Sequence, residues 1–266
     1  MSMDLFRLDG NVAVVIGGAR DLGYDMAAIL AEAGCDLVIT SRKAQHAARA
    51  AAKLRKKYGR ETLSHELDLR NYAQVEAFAT KAFAWKGRVD VLVNNAGGTP
   101  PGSPGPLFDR APEDIEALIA VNLTGTLFCC KALGKHMADQ GTGKIINMAS
   151  IAGLVGRDRR MYQRNAMAGQ PVDYGAAKAG ILGMTRDLAA LLSPMGIHVN
   201  AIAPGGFGPR DLPPGFVSDY CDRTPLGRMG RDGIDLKGAA LFLASPASDY
   251  VTGHTLVVDG GFSIWQ

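Results

Sequence analysis

The segment NVAVVIGGARDLGYDMAAILAEAG, residues 11–34, constrains the fold more than any other stretch. Val12 to Ile16 is a β-branched run, strand-like in length and ended by Gly17 and Gly18. Met26, Ile29, Leu30 and Ala33 then recur at helical spacing until Gly34 stops the pattern. A short apolar strand passing directly into an amphipathic helix is the unit from which parallel sheets covered by helices are built.

The alternation continues. Strand-like Leu37 to Thr40 precedes a basic helix from Gln45 to Tyr58, a strand near Thr62 to Leu67 precedes a helix from Ala73 to Trp85, and Val89 to Val93 is the next strand. After the loop GGTPPGSPGP, a long helical segment from Glu113 to Ala138 leads to the strand Lys144 to Met148. A helix from about Asp173 to Leu192 and the strand Ile197 to Ala203 follow. GGFGPRDLPPGF has no period and reads as a loop, with a candidate lid over about 205–230. A helix from about Ile234 to Ala244 and a strand Thr255 to Val258 close the chain. The expectation is one α/β domain over residues 1–266: a doubly wound, mostly parallel sheet of about seven strands with helices on both faces.

With 266 residues, 47% of them hydrophobic, the chain is long enough for one large core. A net charge of +3 with no long basic run gives no reason to expect nucleic acid or a membrane surface as partner. Cys35, Cys129, Cys130 and Cys221 lack CxxC spacing and the histidines are scattered, so neither a metal site nor a disulfide framework is expected. The start MSMDLFRLDG carries charges where a signal peptide needs an apolar run, and no stretch of about 18 residues is uninterruptedly apolar. These features predict a cytoplasmic protein acting on a small molecule. Cys129 and Cys130 read as buried helix positions, Trp85 and Trp265 as packing residues.

Gly17, Gly18 and Gly23 lie between the first strand and its helix. Glycine allows close backbone approach, and the helix's free N–H groups and positive end attract a diphosphate. Alone, such a turn serves equally as a tight βα connection.

Other motifs accompany it in a fixed order: NNAG at Asn94 to Gly97, Asn122, Ser150, YxxxK from Tyr174 to Lys178, PG at Pro204 and Gly205, and the closing TGHTLVVDGG. In order and spacing they resemble the short-chain dehydrogenase/reductase family over roughly residues 8 to 263, and the overall wording resembles its gluconate 5-dehydrogenase and 3-oxoacyl-carrier-protein reductase relatives. The resemblance implies a Rossmann-type fold, a homotetramer, and reversible hydride transfer between a nicotinamide dinucleotide and a ketone or secondary alcohol. It also implies that Gly17, Arg20, Leu22, Gly23, Pro204 and Gly205 line the cofactor, with Asp68 and Leu69 near its adenine and Asn95, Ala96 and Gly97 near the adenosine ribose.

An acid at the end of the second strand would bind a free ribose 2′-hydroxyl, whereas a 2′-phosphate needs cations. Ser41, Arg42 and Lys43 stand there instead, and Arg20 occupies a position that is basic in NADP-preferring relatives. NADP is therefore expected over NAD. Three departures from the family pattern stand out: Ile16 replaces a threonine, Asp21 replaces a glycine of the turn, and Pro209 replaces a threonine that bonds the nicotinamide amide. Asp21 is expected to cap the following helix, and Pro209, lacking an N–H, is left out of the site.

A phenol exchanges protons poorly near neutrality unless a cation lowers its pKa of about 10. Residues four apart share a helix face, so Tyr174 has Lys178 beside it, whereas four beyond Tyr162 lies Ala166. Ser150 ends the apolar run KIINMAS, at the sheet edge where open α/β folds bind ligands. The family resemblance then implies Tyr174 as proton donor, Ser150 as hydrogen-bond donor to the substrate carbonyl, Lys178 as ribose ligand and pKa modulator, and Asn122 as part of a water relay.

In the family the serine and tyrosine stand about a dozen residues apart; here the separation is 24, through an insertion at about 156–172. An insertion at that point leaves and returns near the active-site mouth. Its arginines, Arg157, Arg159, Arg160 and Arg164, suit a carboxylate or phosphate, and suit equally a solvated loop paired with Asp158 and Asp173. Arg157, Arg160, Tyr162 and Phe207 are the substrate-site candidates, and Tyr162 reads as lining a pocket or an interface. A sugar acid and a 3-oxoacyl thioester remain rival substrates. A catalytically inactive dinucleotide-binding regulator is the alternative from another class.

Overall fold

The computed structural model describes residues 3–99, 105–208 and 210–265. Its strands are β1 (Val12–Ile16), β2 (Asp36–Ser41), β3 (Thr62–Glu66), β4 (Val91–Asn94), β5 (Gly143–Met148), β6 (Ile197–Pro204) and β7 (Thr255–Val258). Between them run α1 (Asp21–Glu32), α2 (Ala44–Tyr58), α3 (Tyr72–Lys86), α4 (Pro112–Ile119), α5 (Gly125–Gln140), α6 (Arg160–Arg164), α7 (Val172–Leu192), α8 (Pro214–Asp222) and α9 (Lys237–Ala244). The strands form one seven-stranded sheet in the order β3-β2-β1-β4-β5-β6-β7, and every neighbouring pair is parallel.

Strand alternation sorts the core into two layers. Ala13 and Val15 pack with Met26 and Leu30 of α1, Leu54 of α2 and Leu243 of α9. Val12, Val14 and Ile16 point the other way, onto Phe78 of α3 and Leu133 and Met137 of α5. Both faces are covered, which is why β1 reads as a continuous apolar run. The strand order reverses between β1 and β4, and that reversal opens a crevice beyond the carboxyl ends of the strands.

Three segments differ from the sequence expectation. The helix expected from Glu113 to Ala138 is interrupted by a π-turn at Ala120–Thr124, between α4 and α5. By composition the run 112–140 would suit a bilayer, yet half of it is buried inside the fold, with Cys129, Cys130 and Leu133 against the sheet. The presumed lid loop contains α8, begun by Pro213 and Pro214; proline at a first helical position has the right φ and lacks only an N–H that would be unpaired there. The insertion folds into α6, which packs on α8: Met161 joins Phe216, Tyr220 and Met229 in a satellite cluster. Trp85 packs at the edge of the core, whereas Trp265 is exposed and does not serve as a packing residue.

Candidate active site

The glycine turn is built for close approach. Gly17 has φ +75°, and a Cβ on it would meet the Ala96 backbone at 2.8 Å. A Cβ on Gly23 would lie 2.3 Å from both the Asn95 amide nitrogen and the Gly17 carbonyl oxygen. Asn95 donates from Nδ2 to that same carbonyl at 2.9 Å, tying the end of β4 to the turn after β1. Thr40, buried in β2, accepts from the Gly17 N–H at 3.1 Å.

Asp21 does not cap α1. It is the first helical residue, in the left-handed region at φ +50°, and the N-cap position belongs to Arg20, which makes no side-chain cap. The Asp21 carboxylate instead lies 3.6 Å from the Arg20 guanidinium, both partly in solvent. Short polar side chains tolerate this backbone conformation, and the family's glycine fits it without strain.

Arg42 is exposed at the end of β2 and has no hydrogen bond or ion pair among the described residues. Ser41 accepts from the Lys43 N–H at 3.3 Å. Asp68 is held by Arg70 at 2.6 Å, and that hydrogen bond keeps its carboxyl below the ordinary range. Leu69 is buried against Gly125. Leu22 is partly buried against the α1 layer, and Gly205 donates to Val258 O at 3.0 Å just after Pro204. Pro209 lies outside the described residues.

Asn122 sits in the π-turn, 1% exposed, and every polar atom of its side chain is engaged. Its Oδ1 accepts from the Gly98 N–H at 2.7 Å, and Nδ2 donates to Gly98 O and Leu118 O, both at 3.0 Å. The backbone-satisfying role is therefore real, and it fixes the loop after β4. Gly97 fills the space between Asn122 and Lys178: a Cβ there would be 2.5 Å from Asn122 Oδ1 and 3.7 Å from Lys178 Nζ.

Ser150 follows β5, and Tyr174 and Lys178 lie on α7, all three buried. Lys178 Nζ donates to Met148 O at 2.7 Å, and burial pushes its ammonium down to about 8. Burial pushes the Tyr174 phenol up; a hydrogen bond with Ser150 and the charge of Arg157 oppose it. Ser150 Oγ also accepts from the Ala152 N–H at 3.1 Å, which sets its rotamer.

The sequence carried less warning of a polar strut beneath these groups. Asn94 donates to Asn147 at 2.9 Å and Asn147 to Thr185 at 3.1 Å, linking β4, β5 and α7 inside the core. The one signal was an asparagine inside the apolar run KIINM, a position that must find buried partners.

The four arginines of the insertion part company. Arg160 is exposed and clamped to Asp158, which also pairs with Arg223. Arg164 pairs with Asp219 at 3.1 Å, and Arg159 donates to Gln170 O at 2.6 Å. Arg157 alone of the four meets the catalytic candidates, its guanidinium carbon 5.5 Å from the centre of the Tyr174 ring. Tyr162 packs on Phe216 at 5.0 Å, and burial raises its phenol. Phe207 is buried against Gly230 and the core, whereas Arg160 is exposed with Asp158 as its partner.

A family model described as "Enoyl-(Acyl carrier protein) reductase" matches residues 17–263. The chain is 36% identical to 2-dehydro-3-deoxy-D-gluconate 5-dehydrogenase of Escherichia coli over 98% of this chain and 99% of that one. It is 34% identical to the NADP-dependent mannitol dehydrogenase of Hypocrea jecorina, over 98% and 95% of the two chains. The solved gluconate 5-dehydrogenase from Burkholderia cenocepacia, in complex with NADP and tartrate, superposes with a TM-score of 0.89 at 37% identity, covering 99% of both chains. With an all-parallel Rossmann-type sheet and a family match along nearly its whole length, the chain belongs to the short-chain dehydrogenase/reductase family of oxidoreductases.

Proposed function

We propose that this protein is an NADP(H)-dependent oxidoreductase interconverting a ketone and a secondary alcohol on a small anionic, sugar-acid-like substrate. The observation that carries this reading is the buried trio of Ser150, Tyr174 and Lys178 at the carboxyl edge of β5, beside a glycine turn that would admit no Cβ. The turn fits a diphosphate, with Gly17 and Gly23 carrying no side chain that would hold the ligand away from the backbone, and with α1 starting directly after the turn. Arg42 and Arg20, with no acid at position 41 or 42, suit a 2′-phosphate. The cofactor held there would supply the hydride chemistry, as NADPH for reduction and NADP+ for oxidation.

Tyr174 gives its phenolic proton to the carbonyl oxygen as that oxygen gains charge, and takes it back in the oxidative direction. Ser150 donates a hydrogen bond to the same oxygen, stabilising the developing charge. The Lys178 ammonium holds the cofactor ribose and favours the phenolate of Tyr174. Asn122 positions the loop after β4, and its carbonyl oxygen, which accepts from the Thr126 hydroxyl, takes part in a proton relay through water.

The sugar-acid reading rests on relatives named for gluconate derivatives and on the tartrate bound by the structural neighbour. An NADPH-oxidation screen over keto acids, neutral ketones and acyl thioesters tests it, with Tyr174→Phe as control. Turnover of a keto acid that Tyr174→Phe abolishes is the expected result. Failure to bind NADPH, or a Tyr174→Phe protein as active as the parent, would overturn the enzyme reading.

A further inference from the structure

Arg157 enters the site from the segment between Ser150 and Tyr174, and its surroundings differ from those of its neighbours. Arg160 and Arg164 have carboxylate partners. Arg157 has no carboxylate within ion-pair distance among the described residues: its Nη1 donates to Gln170 O at 3.1 Å, and its Nη2 is buried without a hydrogen-bond partner. Burial disfavours the charged guanidinium and lowers its pKa, with the neighbouring Arg159 adding repulsion. A charged fork held partly out of water with one arm unused is unfavourable unless an anion arrives to complete it. Its plane of approach is fixed by the Tyr174 ring, 5.5 Å from Cζ, and by the anchor on Gln170.

We infer that Arg157 receives the carboxylate of the substrate while the reacting oxygen of the same molecule sits on Tyr174 and Ser150, so that this residue selects hydroxy and keto acids over neutral polyols. The inference rests on the acid/base reading of Tyr174. It goes beyond that reading because the relatives include both a gluconate-type and a mannitol enzyme, and the trio Ser150, Tyr174 and Lys178 does not discriminate between such substrates. The carboxylate completes the guanidinium's hydrogen bonding once a turn of the side chain uncovers the buried Nη2, and the pairing holds one end of a short carbon chain while its carbonyl or carbinol carbon is presented for hydride transfer. A neutral CH2OH in place of the carboxylate leaves the buried charge unpaired, which is the source of the discrimination.

D-Gluconate and D-glucitol, which differ by a carboxylate against a CH2OH, provide the test with NADP+ as oxidant, alongside calorimetric titration of tartrate into the NADP+-loaded protein. Wild type is expected to favour gluconate and to bind tartrate. Arg157→Gln should raise KM for gluconate or weaken tartrate about 10- to 100-fold, leave glucitol unchanged, and leave NADP+ affinity intact. Arg157→Lys, which keeps the charge without the fork, should fall between the two, and Arg164→Gln should behave as wild type. An Arg157→Gln protein that binds NADP+ and retains wild-type affinity for gluconate or tartrate would overturn the inference. So would a wild type that prefers glucitol, although in that case the oxidoreductase reading stands. If neither polyol compound turns over, the tartrate titration decides: loss of binding in Arg157→Gln supports the anion site, and equal binding refutes it. Absence of NADP+ binding by wild type strikes the proposed function itself.

Discussion

Arg110 donates to the Asp173 carboxylate at 2.6 Å, and the two side chains are 1% and 4% exposed. The pair joins the segment before α4 to the first turn of α7, one residue ahead of Tyr174. Removing one partner of a buried pair strands the other charge and costs about 3–5 kcal/mol. Arg110→Met should therefore destabilise the protein by about that amount in urea denaturation, and Asp173→Leu similarly. The double variant should recover most of the loss, giving a coupling energy readable from the cycle.

Tyr174 and Tyr162 separate by environment rather than by chemistry. Tyr174 has the Ser150 hydroxyl and two cations, Arg157 and Lys178, near its ring, while Tyr162 packs against Phe216 within the α6–α8 cluster. Tyr174→Phe should lower kcat by about 10²–10⁴-fold with NADPH titration unchanged. Tyr162→Phe should keep kcat. Steady-state kinetics of both variants on one active substrate checks the pair.

Cofactor choice should follow Arg42. Its guanidinium makes no bond among the described residues, so a 2′-phosphate would gain a charge-assisted partner there. Arg42→Asp should weaken NADPH about 10- to 100-fold and leave NADH no weaker, measured by quenching of protein fluorescence.

Lys178 should leave a signature on stability against pH in the cofactor-free protein. Its folded pKa, pushed down to about 8 from an ordinary 10.5, means that the folded state holds fewer protons than the unfolded state between those values. Stability contributed by this group therefore rises as pH climbs through that window, and the cost of charging it in the folded state is fully present below pH 8. Lys178→Met removes that cost, on the order of 3 kcal/mol. The difference in unfolding free energy between variant and wild type should favour the variant most near pH 7 and shrink toward pH 10. A difference independent of pH would contradict the depressed pKa.

Much of the fold was legible because its signals are local. β-branched runs of strand length, helical periods between them and glycines at the turns mark five of the six helical stretches read from the chain, those that became α1, α2, α3, α7 and α9, and the i, i+4 spacing of Tyr174 and Lys178 singles out the proposed acid/base pair without any tertiary information. Where the reading failed, the deciding contacts come from distant parts of the chain. α8 looked like loop because its prolines and glycine hide a helix start, and what makes it worth forming is Phe216 and Tyr220 packing on Met161 and Met229. The π-turn at Asn122 has no periodic signature; it is accompanied by a side chain clasping Gly98, 24 residues earlier.

The same distinction runs through the site. The sequence by itself determined the parallel βα order, the glycine turn and the Tyr174–Lys178 pair, since each depends on backbone preferences or on neighbours within one helical turn. Among the four arginines of the insertion it singled out Arg157 and Arg160 together and could not tell these two apart. Only the tertiary structure separated Arg160 and Arg164, neutralised by Asp158 and Asp219, from Arg157, carried to the Tyr174 ring with an unused donor. The physical reason is that a charge's role depends on which opposite charges and how much water the fold leaves around it, and neither is encoded in the spacing of residues along the chain.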